Sequence, residues 1–180
     1  MVYNGGKPVK KDVYILRNIN KFASVTDAII SREFSYRYHV LENSILESNR
    51  FISKALDIPL ASKVFCFEKV RVVEDEPRSI EKVYIDYKKV PGIEKLDLSK
   101  ESFYSILSRE YGIEINQSEE EILIVEANEK ERQLLNLKID SEVLLIKGIT
   151  YINNYEPFEC FEIVSVTDFY KFRSVLNLDE

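Results

Sequence analysis

The stretch Val64-Phe65-Cys66-Phe67-Glu68-Lys69-Val70-Arg71-Val72-Val73, followed by Glu74-Asp75-Glu76-Pro77 and Arg78-Ser79-Ile80-Glu81-Lys82-Val83-Tyr84-Ile85, decides the fold. Two runs rich in β-branched and aromatic residues flank a polar segment of turn formers, which is the signature of a β-hairpin. A second unit of the same kind lies downstream: Val143 to Ile152, a turn over Asn153-Asn154-Tyr155-Glu156-Pro157, and a return from Phe158 to Val166. Placing Pro77 on Pro157 brings both pairs of apolar runs into register, so the sheet is expected to consist of two pseudo-symmetric halves.

Helical signals punctuate these strands. Ser24 precedes Val25-Thr26-Asp27-Ala28-Ile29-Ile30 as a cap before a short helix, and Tyr36 to Leu41 returns to strand composition. Asn43 or Ser44 is expected to cap a helix carrying Ile45, Phe51, Ile52, Ala55 and Leu56 and ending near Asp57-Ile58-Pro59. Ser99 is expected to cap a further helix, stapled by Leu98 and Phe103 and stopped at Gly112. Beyond the strand Ile122 to Val125, Asn128 and Glu131 have capping-box spacing before Leu134 and Leu135. Hairpins interrupted by helices imply an α+β fold, an antiparallel sheet with flanking helices. Val13 to Leu16 offers an early strand-like run behind an unanchored lead-in.

Composition bounds what such a domain does. The chain has 180 residues, 45% hydrophobic and 31% charged, enough for one sizeable core. A net charge of −6 argues against this segment gripping a phosphate backbone by itself. Lys7, Lys10 and Lys11 form a local basic cluster beside Gly5, Gly6 and Pro8, as in a flexible linker. Without a membrane-length apolar run or a secretory leader, a cytoplasmic location is expected. Cys66 and Cys160 fall inside strands with no metal-ligand spacing, and are expected as buried thiols with no metal or other cofactor.

Strand alternation puts Phe65, Phe67, Lys69, Arg71 and Val73 on one face. Two placements are open for Lys69 and Arg71: a solvated outer face, or a recess where a point charge and a planar fork meet an anionic ligand. Ser102 and Tyr104 sit at a helix start, where a hydroxyl either caps the helix or completes an anion seat. Glu81 and Glu159 follow the two turns, either solvated or poised to accept from ligand hydroxyls or pair with Arg71. Catalytic signals are thin: His39 has no defined acid partner, and Asp168 reads as fixing a strand end.

In order, Lys69-Val70-Arg71, Glu76-Pro77, Glu81, Val90-Pro91-Gly92, Ser102-Phe103-Tyr104 and Thr167-Asp168-Phe169-Tyr170-Lys171-Phe172 resemble the UTRA effector-binding domain of GntR-family bacterial transcription regulators, HutC subfamily. That domain shares the chorismate lyase fold. The resemblance implies an effector pocket at Lys69, Arg71, Glu81, Ser102, Tyr104 and Glu159, binding a small anionic metabolite such as a sugar phosphate. It also implies a homodimer that meets DNA only through an N-terminal winged-helix domain. Residues 1–19 would then be a linker or wing remnant and 20–176 the effector domain, either cut from a longer regulator or standing alone. The sequence departs from the pattern at Lys69, in place of an arginine, and at Ser165 and Val166, in place of an aromatic and an arginine, which implies a smaller or less charged effector. Replacing Arg71 with alanine is expected to weaken such a ligand without disturbing the fold. The alternative is a chorismate-lyase-like enzyme acting on a small dicarboxylate.

Overall fold

The computed structural model describes residues 12–18, 20, 23–99, 101–153 and 155–175, together with the backbone at 3–4 and 7–8. Lys10, Lys11 and the side chain of Lys7 lie outside the described residues. The elements run β1 (Tyr3–Asn4), β2 (Lys7–Pro8), β3 (Ile15–Asn18), α1 (Val25–Ser31), β4 (Tyr36–Glu47), α2 (Arg50–Leu56), β5 (Lys63–Val73) and β6 (Glu76–Asp86). Two 3-10 turns follow, then α3 (Phe103–Tyr111), β7 (Gln117–Glu126), α4 (Glu129–Leu135), β8 (Glu142–Ile152), β9 (Glu156–Val166) and β10 (Tyr170–Arg173).

Both expected hairpins form. They join through β6 and β9 into one antiparallel sheet of order β4-β5-β6-β9-β8-β7. The halves correspond element for element: α1-β4-α2-β5-β6 is repeated as α3-β7-α4-β8-β9. The chain tightens the first turn to Glu74 and Asp75, both left-handed (φ 49° and 62°), so Glu76 and Pro77 already belong to the returning strand. β3 and β10 add a separate parallel ladder, Ile15 to Tyr170 through Asn18 to Arg173.

Each face of the sheet has its own cover. On the face of Phe65 and Phe67, α3 buries Phe103, Ile106 and Leu107, while α1 and the β3–β10 pair close Ile29, Ile15 and Phe169 over Ile146. On the opposite face α2 packs Ile52 and Leu56 on Val64 and Cys160, and α4 sets Leu135 on Val70, Val143 and Val164. Both cysteines are buried and unpaired. No helix among the described residues is long and apolar enough to cross a membrane.

Three local expectations need correction. Asn43 to Glu47 does not open a helix: past a bulge at Leu41, β4 stays paired with β5 as far as Glu47 and Lys63. Long-range ladder bonds override the local cap signal there, and the cap falls instead on Asn49, whose side chain accepts from the Ile52 amide at 2.9 Å. Ile45 is consequently a half-exposed strand residue. Ser99 caps nothing, because its hydroxyl donates to Asp97 Oδ1 at 2.6 Å; Ser102 takes the N-cap of α3, and Gly112 ends it in the left-handed region as expected. The early strand lies at Ile15–Asn18, slightly beyond Val13–Leu16.

The capping box of α4 is formed. The Glu131 amide donates to Asn128 Oδ1 at 3.0 Å, and the Asn128 amide donates to Glu131 Oε2 at 2.9 Å. Asn128→Ala removes one partner of this reciprocal pair, and urea denaturation should show a loss of about 1 kcal/mol. A loss below the error of that measurement would mean α4 is held by Leu135 alone.

Candidate functional site

Lys69 and Arg71 are both on the inner face of β5 and only 4% and 3% exposed, so the solvated placement is excluded. They line a cavity of about 80 Å³ between the sheet and the first turns of α1 and α3. All six residues expected from the sequence border it: Lys69, Arg71, Glu81, Ser102, Tyr104 and Glu159.

Arg71 is held by a bidentate pair with Glu81, Nε to Oε1 at 2.5 Å and Nη2 to Oε2 at 2.9 Å. Its Nη1 donates to Thr26 Oγ1 at 3.1 Å and to the Tyr38 hydroxyl at 3.0 Å, which ties β5 to α1 and β4. Burial disfavours the Glu81 carboxylate, but Arg71 and then Lys69 outweigh it and hold its pKa down at about 2. Ser79 donates a third bond to Glu81 at 3.0 Å.

Lys69 is less well matched. Its ammonium lies 3.6 Å from Glu81 Oε2, beyond a good hydrogen bond, and 4.0 Å from the centre of the Tyr38 ring. Desolvation lowers its pKa to about 8 despite Glu81. One carboxylate thus faces two buried cations, and this end of the cavity carries an excess positive charge.

Glu159 does not pair with Arg71. Only 1% exposed, it accepts from the Tyr104 hydroxyl at 3.0 Å and from Thr150 at 3.2 Å, both at Oε2. Burial pushes its pKa up to about 7, against the pull of those two hydroxyls and of Lys69. It therefore carries a proton part of the time at neutral pH, and can accept from a ligand or donate to one.

The helix starts complete the wall. Ser24 caps α1, accepting from the Asp27 amide at 3.3 Å, and Ser102 occupies the equivalent position of α3. Their hydroxyls lie 3.1 Å apart across the pseudo-symmetric halves. Ser102 makes no side-chain bond to its own helix, so the α3 amides at the cavity have no such cap. Both open readings for Ser102 are answered in part: it stands at the cap position, and its hydroxyl points elsewhere.

Several lining groups escaped the sequence reading. Arg17 reaches in from β3 and Glu120 from β7, joined by an ion pair of 2.8 Å. Thr26 is seen only once α1 folds over β5. Nothing in the local spacing of these residues brings them together; the β3–β10 ladder and the packing of α1 do so. Ser165 and Val166 do not border the cavity: Ser165 is buried and donates to the Arg78 carbonyl at 3.1 Å, and Val166 packs in the core. His39 and Asp168 are exposed, Asp168 lying 3.7 Å from Arg78 at the end of β6. Among the described residues, no group of three or more His, Cys, Asp or Glu could hold a metal ion.

Relatives share both sequence and architecture. The "HTH-type transcriptional repressor NagR" of Bacillus subtilis (strain 168) is 25% identical over 149 residues, 83% of this chain and 61% of NagR. The "HTH-type transcriptional regulator GmuR" of the same strain is 25% identical over 108 residues, 60% of this chain and 45% of GmuR. The chain thus spans about half to three fifths of the length of these curated relatives. The effector domain of PhnF from Mycobacterium smegmatis has the same fold, with a TM-score of 0.82 at 18% identity over 91% of this chain and 100% of that one. The ligand-binding domain of a putative GntR-family transcriptional regulator from Bordetella bronchiseptica gives 0.73 at 23% identity, over 81% of this chain and 93% of that one. The profile of the UTRA domain matches residues 31–171, from the end of α1 to β10 and across the whole sheet; the chain belongs to the UTRA domain family.

Proposed function

We propose that this chain is the ligand-sensing domain of a GntR/HutC-type transcription regulator and that its cavity binds a small anionic metabolite. The observation that carries the reading is Lys69: a buried ammonium whose nearest carboxylate is already committed to Arg71. An anion seated there completes its charge balance, and Ser24, Ser102 and the α3 amides add donors around it. Glu159 receives a hydroxyl or other donor at the far side.

The cavity volume limits the ligand. About 80 Å³ is the liquid share of two or three water molecules, far below the roughly 300 Å³ at the small end of drug-sized pockets. A sugar phosphate therefore requires α1 and α3 to part. A ligand that binds the parted arrangement more tightly than the closed one shifts the population, with no bond made or broken. In this reading residues 1–19 lead from a winged-helix domain, which makes the DNA contact, and 20–176 sense and dimerise in the cytoplasm. The edge strand β7 exposes Ile122, Leu123 and Ile124, the kind of apolar edge a dimer covers.

Lys69→Met tests the seat. It keeps most of the volume and leaves Glu81 in its bidentate pair with Arg71, so thermal unfolding should shift little. Affinity for inorganic phosphate and for small phosphate monoesters, measured by calorimetry, should fall about ten- to a hundredfold. Binding unchanged in this variant would remove Lys69 from the site. Consumption of chorismate by the wild-type chain would favour a lyase over a sensor.

A further inference from the structure

The cavity has a third cation, one of whose donors is unused. Arg17 donates through Nη2 to Glu120 Oε1 at 2.8 Å, but its Nη1 is buried and has no partner among the described residues. A buried guanidinium donor left unpaired carries the desolvation cost with no compensating bond. Its surroundings fix the side chain: the guanidinium carbon lies 5.8 Å from the centre of the Tyr170 ring and 5.9 Å from that of Phe172. Both rings belong to β10, the strand paired with β3. The Arg17 side chain is 17% exposed and borders the same cavity as Lys69 and Arg71.

We propose that Arg17 is a ligand-binding residue of this cavity and that, by engaging it, an anionic ligand fastens strand β3 to the sheet. This deepens the sensor reading and rests on it. β3 is the strand through which any N-terminal attachment connects to the core, and its own ladder is short, four residue pairs with β10. Glu120 holds Arg17 from the edge strand β7; an anion competes with that carboxylate for the fork and adds a bond at Nη1. Ligand occupancy thereby reaches β3 through one side chain. Lys69 and Arg71 have no such effect, since both stand on β5, an interior strand of the main sheet.

The test uses the whole chain with inorganic phosphate and glycerol 3-phosphate as probes, read by calorimetry and by amide hydrogen exchange over residues 15–18. Arg17→Met should weaken both probes about ten- to a hundredfold, the range of one charge-assisted hydrogen bond. Glu120→Gln should tighten them, and that gain should vanish in the Arg17→Met background, which separates competition for the fork from a simple change of field. Phosphate should slow exchange at 15–18 in the wild type and not in Arg17→Met. Arg17→Lys keeps the charge, so it should fold while recovering only part of the affinity.

Wild-type affinity in a folded Arg17→Met, with Lys69→Met impaired, would overturn the role of Arg17 and leave the sensor reading standing. Weakened binding with unchanged exchange would overturn the link to β3. No binding of either probe to the wild type would overturn this proposal together with the anionic seat on which it rests.

Discussion

Arg71→Ala should destabilise the fold by about 3–5 kcal/mol, the range for removing one partner of a buried ion pair. Among the described residues the guanidinium is the only bidentate partner of Glu81, and both side chains lie deep in the interior. Without it the Glu81 carboxylate keeps, among the described residues, a Lys69 ammonium at 3.6 Å and the Ser79 hydroxyl at 3.0 Å. Thr26 and Tyr38 also lose the donor that joins α1 and β4 to β5, although their own hydroxyls remain 2.6 Å apart. The sequence alone led to the opposite expectation, that this variant would spare the fold and report on the ligand. The structure corrects it, because the same fork that faces the cavity also neutralises a buried acid. Urea denaturation decides: a loss below about 1 kcal/mol would show that Glu81 finds other compensation. Arg71→Met combined with Glu81→Gln should recover much of the loss, since the uncompensated charge is then gone.

Glu159→Gln should stabilise the chain at pH 7.5 and change little at pH 5. The folded carboxyl keeps its proton up to about pH 7 because it is buried, against an ordinary value of 4.5. Between those values the folded chain binds more protons than the unfolded one, so this group's contribution is present at low pH and is lost as pH rises through 7. The full effect has an upper bound of about 3.5 kcal/mol at 1.4 kcal/mol per pKa unit. A glutamine keeps the shape and still accepts from Tyr104 and Thr150 without ionising. Lys69 has the opposite sign: its pKa is lowered to about 8 from 10.5, so its charged form is strained in the fold and stability recovers as pH rises beyond 8. The measurement therefore belongs between pH 5 and 7.5, where Lys69 remains protonated. Parallel stability profiles for wild type and Glu159→Gln across that window would show that Glu159 is ionised throughout.

The same two groups give the site a pH-dependent character. An anion beside Lys69 favours its protonated form, and a ligand donor at Glu159 favours the carboxylate. Binding of an anionic ligand with a hydroxyl at the opposite end should thus be tightest where both charges exist together, from about pH 7 to 8.

Much of this protein was legible in its residues. Strand composition and turn formers located both hairpins, and the match of Pro77 with Pro157 anticipated the two halves that meet at β6 and β9. Caps at Ser24, Asn128 and Gly112 were readable because capping is a contact over three or four residues, determined by side chains close in sequence. Where a long-range ladder competed with such a signal, at Asn43 to Glu47, the ladder won, since it bonds one side of a twelve-residue edge strand along its length, where a local cap would satisfy only a helix end. The six candidate positions came from the resemblance to the UTRA family; their charge states did not. Alternation placed Lys69 and Arg71 on one face, yet whether that face met water depended on α1 and α3 closing over it. Burial, not residue type, raised Glu159 and lowered Lys69. Arg17 and Glu120, 103 positions apart, meet only because β3 pairs with β10 and the sheet carries β7 to the same cavity. The sequence by itself determined the two hairpins and most helix boundaries, because those follow from local sterics and periodicity, while the candidate site residues came from its resemblance to the UTRA family. Tertiary structure alone decided which charges are buried, which are shared and which donor remains unpaired, because desolvation and Coulomb attraction depend on distances in space that spacing along the chain does not contain.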